Sequence, residues 1–212
     1  MSDLADLDLI PFTGFRPLEW DRASYPPSKI QYACGLNPIN GWLNVDFFDD
    51  ALIWNFNHIG GVPRKVAEGV YKINLLERHP FQDNSFEYAF CEDFIEHIDQ
   101  KSAILFLSEV LRTLKPGGVL RLTSPGLLGV MDRHFDKANF DAVIENHRSA
   151  YTQWGHLHFF THDSLKTVAT GLGFRKYRAR SFRKSWHRQL RGLETRAEQA
   201  ENKINIYAEL TK

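Results

Sequence analysis

Through the middle of the chain, short apolar runs alternate with turn-forming residues. Ile30–Cys34 is an apolar run ending at Gly35, the form of a buried strand entering a turn. Leu43–Phe48 and Val70–Leu75 read as a second and a third strand. Phe86–Cys91 is a fourth, introduced by the turn signal Gln82-Asp83-Asn84-Ser85. Then the period changes. Ala103, Ile104, Leu107, Val110, Leu111 and Leu114 recur at three- and four-residue steps, one apolar stripe on one helical face. Asp99 is placed to cap that helix, and Lys115-Pro116-Gly117-Gly118 to stop it. Val119–Thr123 reads as a fifth strand, residues 163–171 as another helix, and Tyr177–Phe182 and Ile204–Leu210 as two further strands. Strands alternating with helices predict an α/β domain with a largely parallel sheet covered on both faces.

Residues 1–27, punctuated by Pro11, Pro17, Pro26 and Pro27, read as an irregular N-terminal arm, and residues 28–212 as a single domain. A stretch from about 126 to 162 stands out as an insertion between the fifth strand and the next helix. Apolar content of 43% is ordinary for a globular protein, and no apolar run is long enough to cross a bilayer. The opening residues carry Asp3, Asp6 and Asp8 and no base, unlike a targeting peptide. With two cysteines, Cys34 and Cys91, a disulfide framework is not expected and a reducing, cytoplasmic setting is.

A net charge of zero conceals an acidic first half and a basic second half. Eight lysines and arginines and no carboxylate lie between Arg175 and Arg191. Such a segment is either a solvated face paired with the acidic half or a contact for an anionic partner.

In open parallel sheets, ligands bind outside the carboxyl ends of the strands where the strand order reverses. That rule selects Ala33-Cys34-Gly35, Asp46, Asn74, Cys91-Glu92-Asp93 and Ser124-Pro125. Glycine lets a backbone approach a ligand closely, and a carboxylate can accept both hydroxyl hydrogens of a ribose diol.

Together these residues resemble the class I methyltransferases, especially the small bacterial type 11 members. Gly41-Trp42-Leu43-Asn44-Val45-Asp46, Pro80-Phe81-Gln82-Asp83-Asn84-Ser85-Phe86, Glu92-Asp93-Phe94-Ile95-Glu96-His97-Ile98 and Leu114-Lys115-Pro116-Gly117-Gly118 are similar to motifs of that family, in its order. Gly173-Phe174 and Tyr207-Ala208-Glu209 are similar to its later landmarks. The resemblance implies a Rossmann-like, doubly wound, seven-stranded sheet, mostly parallel, with an antiparallel last strand. It also implies S-adenosylmethionine as cofactor. Ala33, Cys34 and Gly35 would then lie against its methionine portion and Asp46 would hold the ribose hydroxyls. Asn74 and Leu75 would flank the adenine, and Glu92 and Phe94 would belong to the remaining wall. Glu96 and His97 are expected to fix the start of the following helix.

The pattern departs from the family at three points. Ala33 stands where a first glycine is usual, Asn74 where an acidic residue is usual, and Glu87 where aspartate is usual. About seven residues separate Gly35 from the second strand, too few for a full crossover helix. A turn around Asn37-Pro38-Ile39-Asn40, or a plain loop, is expected instead.

Methyl transfer needs alignment, exclusion of water and, for a hydroxyl acceptor, removal of a proton. His134, His156 and His158, in the inserted stretch, are the candidate catalytic bases and equally candidate packing residues. No metal is expected, because His156-x-His158 has no cysteine or carboxylate near it in sequence. The aromatic neighbours and the basic segment favour a small-molecule or glycan acceptor, including a phosphate-bearing one, over nucleic acid. An RNA or nucleotide methyltransferase, a non-catalytic scaffold and another nucleotide-binding enzyme are the alternatives. The last is disfavoured by the absence of a G-x-G-x-x-G turn.

Overall fold

The computed structural model describes residues 12–16, 28–35, 37–46, 66–135 and 139–212, the first five and 66–69 as backbone only. One sheet organises them. Its strands are β1 (Phe12–Arg16), β2 (Lys29–Tyr32), β3 (Leu43–Asp46), β4 (Val66–Lys72), β5 (Phe86–Glu92), β6 (Leu114–Pro125), β7 (Lys176–Ala179) and β8 (Asn205–Thr211). Their spatial order is β1-β4-β3-β2-β5-β6-β8-β7. All pairings are parallel except those of β8, which runs antiparallel to both β6 and β7. The seven expected strands are present, with the last antiparallel as expected. The eighth, β1, comes from the arm, pairs with β4 and forms one edge of the sheet.

The helices are α1 (Gln100–Thr113), α2 (Leu127–His134), α3 (Phe140–His147), α4 (His162–Leu172) and the short α5 (Ala197–Glu201). The Asp99 carboxylate accepts the Ser102 N–H at 3.0 Å and so caps α1. In α4, Thr161 and Ser164 form a reciprocal cap, and Gly173, with φ of 111°, closes the other end. Lys115-Pro116-Gly117-Gly118 does not form a separate loop. α1 ends at Thr113 and β6 begins at Leu114, the four residues being absorbed as an irregularity in the pairing with β5.

Each face of the sheet has its own apolar layer. Ile30, Tyr32, Val45, Ala89, Cys91, Leu120 and Leu122 pack against the α1 stripe of Ala103, Phe106, Leu107 and Val110 and against Leu165 and Ala169 of α4. On the other face Phe90 and Val119 meet Ile39, Trp42, Leu190 and Leu193. Strand alternation explains the split, since Ala89 and Cys91 point one way and Tyr88 and Phe90 the other.

Among the described residues, no helix lies between β2 and β3. The ten-residue connection is held by two side chains from the strands it joins. Gln31 Nε2 donates to the Asn37 carbonyl at 3.1 Å, and its Oε1 accepts the Ile39 N–H at 3.0 Å. Asn44 Oδ1 accepts the same N–H at 2.9 Å, while its Nδ2 donates to the carbonyls of Ile39 and Trp42 at 3.0 and 3.1 Å. Both amides are buried, so these bonds satisfy loop backbone that a helix would have satisfied internally.

No helix among the described residues is long and apolar enough to cross a membrane.

Candidate functional site at the carboxyl ends of the central strands

Strand order reverses between β2 and β5: from β2 the chain proceeds outward to β3 and β4, then returns to β5 and continues to β6. Both strands leave the sheet through a left-handed residue, Ala33 (φ 49°) after β2 and Asp93 (φ 50°) after β5. Such a conformation is uncommon outside glycine and stores strain at the place where the two loops diverge.

Two residues after Ala33, Gly35 has φ of 54° and open space where a Cβ would stand. Its N–H donates to Asp46 Oδ2 at 2.7 Å, and Cys34 N–H donates to the Val45 carbonyl at 3.3 Å. The buried carboxylate at the end of β3 therefore aligns the loop after β2, while Asp46's own carbonyl accepts the Ile73 N–H at 3.0 Å. Ala33, Cys34, Gly35 and Asp46 are thus brought together.

Asn74 and Leu75 follow β4. Asn74 closes its own turn, accepting the Leu76 N–H at 3.0 Å and donating to Glu77 at 2.8 Å. Leu75 is buried in the main core, so its backbone rather than its side chain remains for a ligand. Glu92 shares the face of Tyr88 and Phe90, and its carboxylate is taken up by Thr195, accepting the N–H at 2.9 Å and the hydroxyl at 2.7 Å. It fastens the segment after β7 to the sheet. Burial first, and Asp93 next, push its pKa up to about 7. Phe94 packs edge-on against Phe106, with ring centroids 5.1 Å apart.

Cys34 and Cys91 are free and buried. Burial, then neighbouring carboxylates, raise both thiols well above their ordinary range, which marks them as inert lining.

The inserted stretch closes on itself. Gly126 pairs with Phe160, and Leu127 N–H donates to the Phe160 carbonyl at 3.0 Å, so α2, α3 and the π-turn Arg148–Thr152 form an excursion with adjoining ends. It is pinned to the loop after β5 where Leu157 N–H donates to the Glu96 carbonyl at 2.7 Å. Glu96 and His97 sit in a 3₁₀ turn, Ile95–His97, just before α1, which Asp99 caps as expected. Glu96 is 1% exposed. Its Oε2 accepts the Ser124 hydroxyl at 3.0 Å, and its Oε1 has no hydrogen-bond partner. His156 lies against His97, ring centroids 4.9 Å apart, with its Nδ1 2.8 Å from the Ala150 carbonyl.

Of the three expected histidines, only His156 joins this group. His134 is 3.1 Å from Ser149 Oγ, and His158 packs edge-on against Phe160. All three are held below their ordinary pKa, chiefly by burial. Sequence alone gives Glu96 and His97 a structural part, because 59 positions separate His97 from His156.

Three of the eight basic residues between Arg175 and Arg191 are bonded within the fold. Arg180 donates to Glu209 at 2.7 Å, Arg183 Nε to the Gly192 carbonyl at 3.3 Å and Arg191 Nε to the Ser185 carbonyl at 2.7 Å. Beneath it, the fully buried Arg121 pairs with Glu194. Arg178 and Arg180 also stack on Trp186, which is 70% exposed. Separately, a shallow surface cavity of about 510 Å³ is lined by Glu145, Arg148, Thr152 and Gln153 and contains none of the residues above.

Comparison with known proteins agrees with this fold. Residues 61–122 match a family model described as a methyltransferase domain. The fold is similar to that of solved methyltransferases. One is an S-adenosylmethionine-dependent methyltransferase from Thermotoga maritima, 16% identical, covering 87% of this chain and 81% of its own, with a TM-score of 0.51. The chain shares the fold of the class I S-adenosylmethionine-dependent methyltransferases. A second such enzyme, from Archaeoglobus fulgidus, is 16% identical and covers 95% of this chain and 88% of its own, with a TM-score of 0.51. A methyltransferase of Haloferax volcanii, solved in complex with the Trm112 activator, is 10% identical over 95% and 84%, again with a TM-score of 0.51. No curated protein matches the chain by sequence.

The class I fold implies S-adenosylmethionine, and the residues at the switch point fit it. The open side of Gly35 leaves room for a close ligand, and Asp46 presents a held carboxylate beside it.

Proposed function

We propose that this chain binds S-adenosylmethionine over β2 and β5 and transfers its methyl group to a small-molecule or glycan acceptor held under the 126–162 excursion. The observation that carries the reading is the Gly35–Asp46 pair at the strand-order reversal, where ligands of open parallel sheets bind. In this reading the Gly35 loop lies against the methionine portion and Asp46 accepts from the ribose hydroxyls. The backbone of Asn74 and Leu75 flanks the adenine, and Phe94 with the turn after Glu92 completes the wall. The bound cofactor supplies the activated methyl carbon.

The protein's part is alignment and exclusion of water, which together can supply several kcal/mol without a dedicated base. The excursion is suited to that part, being anchored at both ends and pinned to Glu96. Internal bonding of Arg180, Arg183 and Arg191 weighs against an extended nucleic-acid surface.

Calorimetric titration with S-adenosylmethionine and S-adenosylhomocysteine tests the reading. Micromolar binding of both is expected, followed by transfer of labelled methyl to a member of a glycan and small-molecule panel. Absence of binding at millimolar ligand overturns it.

A further inference from the structure

The excursion carries His156 back to the loop after β5, against a carboxylate and an imidazole far from it in sequence. One Glu96 oxygen and one ring nitrogen from each of His97 and His156 all lie within 4.8 Å of one another. Glu96 Oε1 is 3.8 Å from His97 Nε2. Two imidazoles and one carboxylate form the donor set that zinc and its first-row neighbours take, whereas magnesium and calcium prefer oxygen alone.

Two further features point to a ligand rather than to packing. Glu96 is almost completely buried, its Oε2 already bonded to Ser124, yet Oε1 faces the imidazoles with no hydrogen-bond partner. A buried oxygen left bare costs about 1–3 kcal/mol, so its retention asks for a partner. His156 Nδ1 lies 2.8 Å from the Ala150 carbonyl and donates to it, which leaves the lone pair on Nε2. That outer bond to a backbone carbonyl is how metal-bound imidazoles are oriented.

We infer that Glu96, His97 and His156 form a binding site for one divalent first-row transition-metal ion, of which zinc is the representative. Metal–nitrogen bonds of about 2.0–2.1 Å draw tetrahedral ligands to roughly 3.3 Å apart, a contraction that small rotations of the two imidazoles supply. Three protein ligands leave a fourth position for an oxygen or nitrogen donor from a small molecule. The site tethers the excursion to the end of β5 through His156. It does not depend on the methyl-transfer reading, since none of its ligands is assigned to the cofactor.

The test uses the full chain, freed of any histidine tag and stripped with chelator, titrated with Zn²⁺ by calorimetry. One ion per chain is expected, with affinity falling at least tenfold in His156→Ala and in Glu96→Gln and unchanged in His162→Gln. Circular dichroism and cooperative unfolding establish that each variant is folded. Because Glu96 is buried and its variant can fail to fold, a second measurement uses the unaltered chain. Sub-stoichiometric Co²⁺ should shift or broaden the ring resonances of His97 and His156 and spare His162 and His187. Absence of stoichiometric Zn²⁺ binding, binding undiminished in the folded variants, or Co²⁺ effects that fall on His162 or His187 and spare His97 and His156 overturns the site. S-adenosylhomocysteine titration of the metal-free chain is read separately, so failure of either inference is seen by itself.

Discussion

The Asp46 carboxylate, at the end of β3, accepts the N–H of Gly35, in the loop after β2, at 2.7 Å. One side chain therefore sets the shape of the neighbouring strand's exit loop and stands beside the space that this loop leaves open.

Asp46→Ala is expected to weaken S-adenosylhomocysteine binding by about 1–3 kcal/mol, the range for losing buried hydrogen-bond partners. Asp46→Asn keeps an acceptor for Gly35 and should lose less. Calorimetry on both variants checks the order. Equal, unchanged affinities would remove Asp46 from the cofactor site.

Asn44 bonds the connection between β2 and β3 three times over. Asn44→Val leaves the Ile39 and Trp42 carbonyls without it and should destabilise the protein by about 2–4 kcal/mol in urea unfolding. A change below about 0.5 kcal/mol, the scale of a surface substitution, would show that the loop is held in another way.

Ala33 occupies a left-handed conformation. That conformation costs a non-glycine residue roughly 1–2 kcal/mol, partly offset by glycine's extra entropy when unfolded. Ala33→Gly should accordingly raise stability by about 0.5–1 kcal/mol. A lower melting temperature for the variant would contradict it.

Glu92 titrates at about 7 in the folded protein, against an ordinary value of 4.5. Between those values the folded state holds the proton more tightly, so stability falls as pH rises through this window. The associated loss is on the order of 2–3 kcal/mol. Glu92→Gln should remove that part of the slope in denaturation curves collected from pH 4.5 to 7.5. An unchanged slope would assign it to other groups.

Periodicity made the central strands and α1 legible, because each buries one regular face. The missing crossover helix was legible from chain length alone. The fixing of its loop by Gln31 and Asn44 was not, since a polar residue inside a strand gives no sign of which distant backbone it will satisfy. Glu92 read as part of a ligand wall, but the side of a strand on which a side chain falls depends on register, and register turned it toward Thr195. β1 is not legible because its partner β4 lies far along the chain and Pro11 and Pro17 flank it. Glu96, His97 and His156 could not be joined without the path of the excursion, which no local pattern encodes.

The layer of Ile39, Trp42, Leu190 and Leu193 has a consequence for how the chain is built. That face of β5 and β6 is sealed by residues drawn from opposite ends of the domain. Early strands emerging from a ribosome can pair and collect α1 on one side, but Phe90 and Val119 stay wet on the other until the segment around Leu190 has been synthesised. Closing so wide a sequence gap is slow, and an uncovered apolar sheet invites aggregation in the interval. The interval in which the nascent chain needs protection is therefore set by the residues that follow β7.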